Sequence, residues 1–495
     1  MRESRKTVWV LGDQLNQNFA ALAQADPSTH QILMVESSAK VRSKKWHIQR
    51  AHFVITSMRR FAHELRDAGF EVDYRKATTL SQGLKEHRAE FAPSSVSVME
   101  PASHAALTML RQNNCEIVRS NQFLCHYEDF AGWKDQLLER RKTFKMEDFY
   151  RWQRLRLNYL MAPDGEPETG TWNYDSENRL PPPKDGKNQW PAPVTSELDD
   201  IDQQVINELR DHCVGQTPTG LWATSRHDAL KRLNHFIENV LPTFGPHEDA
   251  MLTSSWHVAH SLLSPYLNIG LLLPAEVCDA VQDAYRQGRV DIASTEGFIR
   301  QVIGWRNYVY TLYNLEGEKM KTTNQLKHNN KLNDKFWTGE TDMIPIDSII
   351  NKIVKYSYAH HIERLMYLGN FLLLCLVDPD EVYRIFMEWT IDAYDWVMVP
   401  NVYGMSQFAT PIMMTRPYFS SSNYINKMST FKVKKNDNWS ETWDVLYYNF
   451  IFKHRNLLKS NYAVARQVKH WDNKSESEQN EIKKKANEYL NKLFK

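Results

Sequence analysis

The sequence predicts an α/β domain, a doubly wound parallel sheet over residues 1–126, followed by a large all-α domain over residues 198–495. Three observations lead there. Short apolar runs alternate with helical stretches through the first 125 residues, the pattern of a parallel sheet with crossover helices. A polar connection rich in Pro and Gly fills residues 127–197. From Leu198 onward helical periodicity dominates and strand signals are scarce. At 495 residues the chain is too long for one ordinary core.

Five apolar runs, at 7–11, 31–36, 71–75, 95–100 and 116–119, read as strands. The clearest helical periodicity lies at 46–68 and 103–113. Ligands of such sheets bind beyond the carboxyl ends of the strands. The loop Gly12, Asp13, Gln14, Leu15 and the residue Glu36 occupy those ends. No GxGxxG is present, so a nicotinamide dinucleotide is not indicated. In the connection, Trp152, Trp172, Tyr174 and Trp190 are anchors that keep a Pro-rich segment packed.

Composition narrows the function. Hydrophobic residues make up 42% and charged residues 24%, the balance of a globular protein. The longest wholly apolar run, 371–377, has seven residues, against about 20 for a spanning helix. No membrane segment is expected, and with no signal-peptide pattern near Met1 the expected location is cytoplasmic. The five cysteines form no CxxC, which indicates neither a zinc ribbon nor a disulfide framework. The net charge of +1 hides an asymmetry: residues 416–495 carry 16 Lys and Arg against 8 Asp and Glu. A basic end on a neutral chain points to a polyanion.

Four motifs in the helical part carry chemistry. His260-Ser261-Leu262-Leu263-Ser264-Pro265 sets hydroxyls before a proline, a setting that can hold phosphate; a plain helix start is the simpler reading. Gly297 to Arg306 reads as an amphipathic helix with a packed Trp. In Tyr358-Ala-His360-His361-Ile-Glu-Arg364, the adjacent histidines point about 100° apart on a helix and chelate one metal poorly, so no metal is expected. His360 and Arg364 instead share a face, as for an imidazole beside a fixed cation. Asp392, Asp395 and Asn401 stand among aromatics, where buried carboxylates need ring N–H or Arg partners.

Taken together, HSLLSPYLN, FIRQVIGWRNYV, FWTGETDM, YAHHIERLM, DAYDWVMVPN and RPYFSSSNYINKMS resemble the photolyase/cryptochrome superfamily, and within it the bacterial (6-4) photolyases, also called iron–sulfur bacterial cryptochromes and photolyases. VWVLGDQL, ILMVES, SMRRFAHEL and WNYDSENR fit the same group. The resemblance implies an antenna-binding α/β domain, a helical domain holding FAD, and light-driven repair of (6-4) pyrimidine photoproducts in UV-damaged DNA by a monomer. It implies that Ser261, Leu262, Leu263 and Ser264 cradle the FAD phosphates. Gln301, Trp305 and Arg364 flank the flavin, and Asp392, Asp395 and Asn401 lie at its edge. His360, His361, Tyr418 and Tyr424 line the lesion pocket. Asp175 and Asp249 lie near bound DNA. The antenna, a 6,7-dimethyl-8-ribityllumazine, sits at Gly12, Asp13, Gln14, Leu15 and Glu36.

Two departures from that family stand out. Its four-iron four-sulfur cluster takes four cysteines, yet the matching positions are near Pro345, Lys432, Lys435 and Glu441, and no cysteine follows Cys375. The expectation is no iron–sulfur cluster. Packing of Phe431, Trp439 and Trp443 would staple that segment instead, leaving Lys432, Lys434 and Lys435 for DNA phosphates. The family's inner electron donors fall near Ile385 and Phe386, so Trp337, Trp389 and Trp396 are the replacements expected. A flavin photoreceptor without repair activity is the alternative function.

Overall fold

The protein is described by a computed structural model over residues 5–433 and 438–495. Its sheet has five parallel strands: β1 (Lys6–Trp9), β2 (His30–Ser37), β3 (Glu71–Ala77), β4 (Val96–Met99) and β5 (Glu116–Val118), in the order β3-β2-β1-β4-β5. Each falls on an expected apolar run. In β2, Ile32, Leu33, Met34 and Val35 are all buried, as both faces of a helix-covered sheet require. The register runs from Gln31 opposite Glu71 to Ser37 opposite Ala77. Helix Ile48–Asp67 covers the long 46–68 periodicity; the His47 side chain caps it by accepting from the Gln49 N–H.

The connection departs from expectation. It holds two 12-residue helices, Tyr127–Leu138 and Met146–Leu157. Glu128 and Asp129 sit in the first turn of one, and Asp148 closes a capping box in the other. Trp133 stacks on Trp152 at 5.4 Å between them. Proline is confined to the later part, as is every glycine of the connection but Gly132, and there Trp190 is buried as an anchor.

The seam between the two parts is stitched by donors of the first onto carbonyls of the second. Asn16 Nδ2 reaches Gly270 O at 2.7 Å, Gln122 Nε2 reaches Asn268 O at 2.9 Å and Gln49 Nε2 reaches Lys355 O at 2.7 Å. The buried Arg50 guanidinium donates to Met387 O and Ala393 O. No described helix is long and apolar enough to cross a membrane.

At the C-terminal end the expected aromatic staple is in place. Trp443 is fully buried, donates from Nε1 to Ser420 O at 2.9 Å and lies against Phe371 at 5.9 Å. Trp439 is buried and Phe431 packs against the same core. Glu441 takes Lys485 Nζ at 2.7 Å. The last helix, Glu476–Phe494, is thereby joined to Asn438–Lys453. The exposed Lys432 donates from Nζ to Asn426 O at 2.7 Å and Ser429 O at 2.9 Å, closing the end of helix Ser422–Met428. Lys434 and Lys435 lie outside the described residues.

Candidate active site

Three seven-residue π-helical segments carry the expected flavin residues: Arg300–Arg306 with Gln301 and Trp305, Glu363–Gly369 with Arg364, and Pro400–Ser406 with Asn401. Such turns are rare and gather at functional sites. Gly369 makes one of them possible. A Cβ there would lie 2.6 Å from Arg364 O and 2.9 Å from Ser406 Cβ, so only glycine lets the second and third segments meet.

The cradle loop is strained. Val258 and Leu262 adopt φ of 47° and 58°, a region costly for any side chain and most of all for a β-branched one. Ser261 Oγ accepts the Leu263 N–H at 3.3 Å. Behind the loop a small, half-open depression is lined by Arg232, His257, His260, Ser261 and Leu262.

Next to the cradle, Ser264 Oγ donates to Asp392 Oδ2 at 2.7 Å and Arg364 Nη1 pairs with Asp392 Oδ1 at 2.9 Å. Arg364 Nε donates to Ala359 O at 2.6 Å. Burial alone would raise the Asp392 pKa; Arg364 and Ser264 outweigh it and hold the carboxyl below its ordinary value.

One turn earlier stand the histidines. His360 is buried and neither ring nitrogen has a hydrogen-bond partner; the nearest carboxylate, Glu363, is 3.7 Å away and paired to Lys352 at 2.9 Å. Burial and the neighbouring cations push the His360 pKa well down. His361 is more than half exposed, and its Nε2 lies 3.3 Å from Asp249 Oδ1. Burial by its surroundings opposes its charge, but Asp249 and Glu248 prevail and raise its pKa. Desolvation pushes Glu248 itself up to about 7.

A third histidine, His260, opens the cradle motif but was given no role by the sequence reading. Its ring stacks on His360 at 4.5 Å and 15°. One nitrogen from each of the three rings falls within 4.8 Å of the others. Parallel stacked imidazoles direct their in-plane lone pairs side by side, a poor chelate for one ion. The buried pair Lys352–Glu363 was also missed; an acid two residues after His361 in an apolar helix was its signal.

Other expected residues are placed as follows. Gln301 and Asn401 bond back to their own helices through Gly297 O and Val397 O at 3.2 and 2.7 Å, and Asp395 accepts from Tyr383. Trp305 edges onto Tyr308 at 6.2 Å. Tyr424 lies 6.3 Å from Tyr367, whereas Tyr418 contacts Arg416. Asp175 pairs with Arg179. Trp337 and Trp389 form an edge pair at 5.6 Å; Trp396 stands apart beneath Arg306. At the strand ends, Gly12 and Asp13 are partly exposed. Gln14 is bound to Met99 O and the Leu15 N–H to Ile269 O. Glu36 is closed into a network by Arg59, at 2.7 and 3.1 Å, and by Tyr74.

The nearly complete chain has a homologue. A (6-4) photolyase of Agrobacterium fabrum is 35% identical, covering 98% of this chain and 99% of its own. The chain belongs to the bacterial (6-4) photolyase family. A family model described as deoxyribodipyrimidine photo-lyase-related protein matches residues 8–219 of this photolyase-family chain. Its fold is that of a class III photolyase from Agrobacterium tumefaciens, at TM-score 0.57 and 15% identity, covering 94% of this chain and 92% of that one. A Synechocystis cryptochrome matches at TM-score 0.55 and 14% identity over 100% of both.

Proposed function

We propose that this chain binds FAD and, in blue light, repairs (6-4) pyrimidine photoproducts in UV-damaged DNA. The observation that carries the reading is the pairing, one helical turn apart, of an ion-paired Ser264–Asp392–Arg364 corner with an exposed, acid-backed His361.

The residues fit the cofactor by chemistry. Partnerless buried nitrogens of His260, His360 and Arg300 lie on the segments around the cradle, where a polar ligand would satisfy them. Ser261, Leu262, Leu263 and Ser264 would hold the phosphates. Gln301, Trp305, Arg364, Asp392, Asp395 and Asn401 would surround the ring system. Bound reduced flavin supplies, when excited, the electron that breaks the lesion.

The chain's own residues do the rest. Asp249 holds His361 by Nε2, which leaves Nδ1 as the proton donor and raises the pKa of the ring, favouring its protonated form. Tyr418 and Tyr424 wall a pocket that admits an extruded, damaged base, and extrusion of a damaged pair costs less than of an intact one. The basic end, with Lys434 and Lys435, meets the DNA backbone. Gly12 and Asp13, the open part of the strand-end loop, would seat a ribityllumazine, with Gln14, Leu15 and Glu36 supporting them. No iron–sulfur cluster is assigned, because the cysteines it needs are lacking; the working form is a monomer in the cytoplasm.

Repair assays on defined lesions test the function. The His361→Ala variant should keep FAD, released by heat and quantified, yet lose repair of (6-4) photoproducts. Equal repair by that variant, or equal activity on cyclobutane dimers, would overturn the reading.

A further inference from the structure

A buried flavin is reduced by light only if an oxidisable side chain lies beside it and a path leads from there to solvent. Positions 385 and 386 hold Ile and Phe, neither readily oxidised. Trp389 touches Trp337 but, among the described residues, makes no ring contact toward Arg364. Trp396 lies under the Arg306 guanidinium at 4.7 Å, and a cation over the ring face opposes loss of an electron.

A different line of rings begins at Arg364 itself. Its guanidinium lies over Tyr358 at 5.3 Å. Tyr358 contacts Trp222 and Trp256, each at 5.9 Å, and these two meet at 6.2 Å. Trp256 stacks on Tyr356 at 4.4 Å and 16°, and both are partly exposed. The four rings thus run without a break from the flavin-flanking arginine to the surface.

We propose that Tyr358, Trp222, Trp256 and Tyr356 form a conduit that carries electrons from solution to the flavin beside Arg364. The proposal rests on the FAD reading above. Trp222 is the inner donor. Its Nε1–H points at Tyr356 O at 3.0 Å and Gln49 Oε1 at 3.2 Å, two acceptors that stabilise positive charge on the indole. Tyr358 bridges and does not itself become oxidised: it is buried, lies under a cation, and its hydroxyl proton is held tightly because burial raises its pKa. Tyr356 has Lys355 Nζ over its ring at 5.0 Å, which leaves Trp256 as the outer donor.

The electrons balance as follows. Trp222 gives one electron to the photoexcited flavin. Trp256 returns one electron to Trp222 and releases its indole proton to water. A thiol in solution restores Trp256 with one electron and one proton, and two such thiols close a disulfide. Two turns supply the two electrons that full reduction would require, and the accompanying proton would come back from water, which has received one from Trp256 in each turn.

The test compares Trp256→Phe, Trp222→Phe and Trp389→Phe in FAD-loaded protein with dithiothreitol under blue light. Three readouts are taken: bleaching of the flavin band, spin-trap adducts mapped to peptides, and repair by dithionite-reduced protein. Trp256→Phe should lose most of its bleaching rate and the adduct on residue 256, while keeping FAD and repair after chemical reduction. Trp222→Phe should behave alike, whereas Trp389→Phe should bleach as the parent does. Parent-rate bleaching by Trp256→Phe, or its loss in Trp389→Phe alone, overturns the conduit. A parent protein that holds no FAD instead sinks the cofactor reading, and the inference with it.

Discussion

Arg364 and His360 stand one helical turn apart and are partnered in opposite ways. The guanidinium is spent on Asp392 and the Ala359 carbonyl, and Asp392 in turn takes the Ser264 hydroxyl. The imidazole, more deeply enclosed than the guanidinium, has no hydrogen-bond partner on either nitrogen. A buried ion pair is a fixture, because losing one member strands the other. A buried imidazole left unmatched costs free energy unless something brought to the site matches it. One corner therefore positions, and the other receives.

The sharpest way to break this contrast is Arg364→Ala. It leaves the Asp392 carboxylate buried without its cation and should cost about 3–5 kcal/mol, read as a shift in the urea midpoint together with loss of bound FAD. Unchanged stability would mean that Arg364 is not the fixture described here.

A smaller effect separates the histidines by pH. Burial holds His360 and His257 below the ordinary value of 6.5, His257 at about 4. The unfolded chain then binds protons first, so their contribution is complete above 6.5 and declines on acidification toward the folded values. The decline should be about 1.4 kcal/mol per pH unit for each group. His361 runs the other way: its raised pKa stabilises the fold below 6.5 and that gain is lost as pH climbs through its folded value. Imidazole NMR titration should show a His360 signal that stays neutral and a His361 signal that titrates above 6.5. Two signals moving together would erase the distinction.

The smallest effect concerns Lys432, whose ammonium caps a helix end. Lys432→Ala should lower stability by about 0.3–1 kcal/mol and leave the salt dependence of DNA binding unchanged. A shallower salt slope would return that lysine to the phosphates.

Much of this was legible in the sequence, for identifiable reasons. Apolar runs such as Ile32–Val35 must be buried on both faces, and a parallel sheet is the arrangement that does so. Asp392 in an apolar helical region needed a cation, and Arg364 provides it. The helices at Tyr127–Leu138 and Met146–Leu157 were hidden by the Pro and Gly that follow them, although their caps are local signals. The π-helical segments and the positive φ of Val258 left no trace, since residue types do not report a backbone imposed by packing. The carbonyls that Lys432 meets left no trace for a related reason: charge composition counts a cation without saying what it touches.

The stitched seam has an optical consequence. Asn16, Gln49, Arg50 and Gln122 each pin the α/β part to carbonyls of the helical part. A pigment held on one side and a pigment held on the other would keep a single separation and a single angle between their transition dipoles. Excitation would pass between them at one rate, not a spread of rates averaged over a swinging joint, and polarised light absorbed by the first would leave the second with one fixed anisotropy.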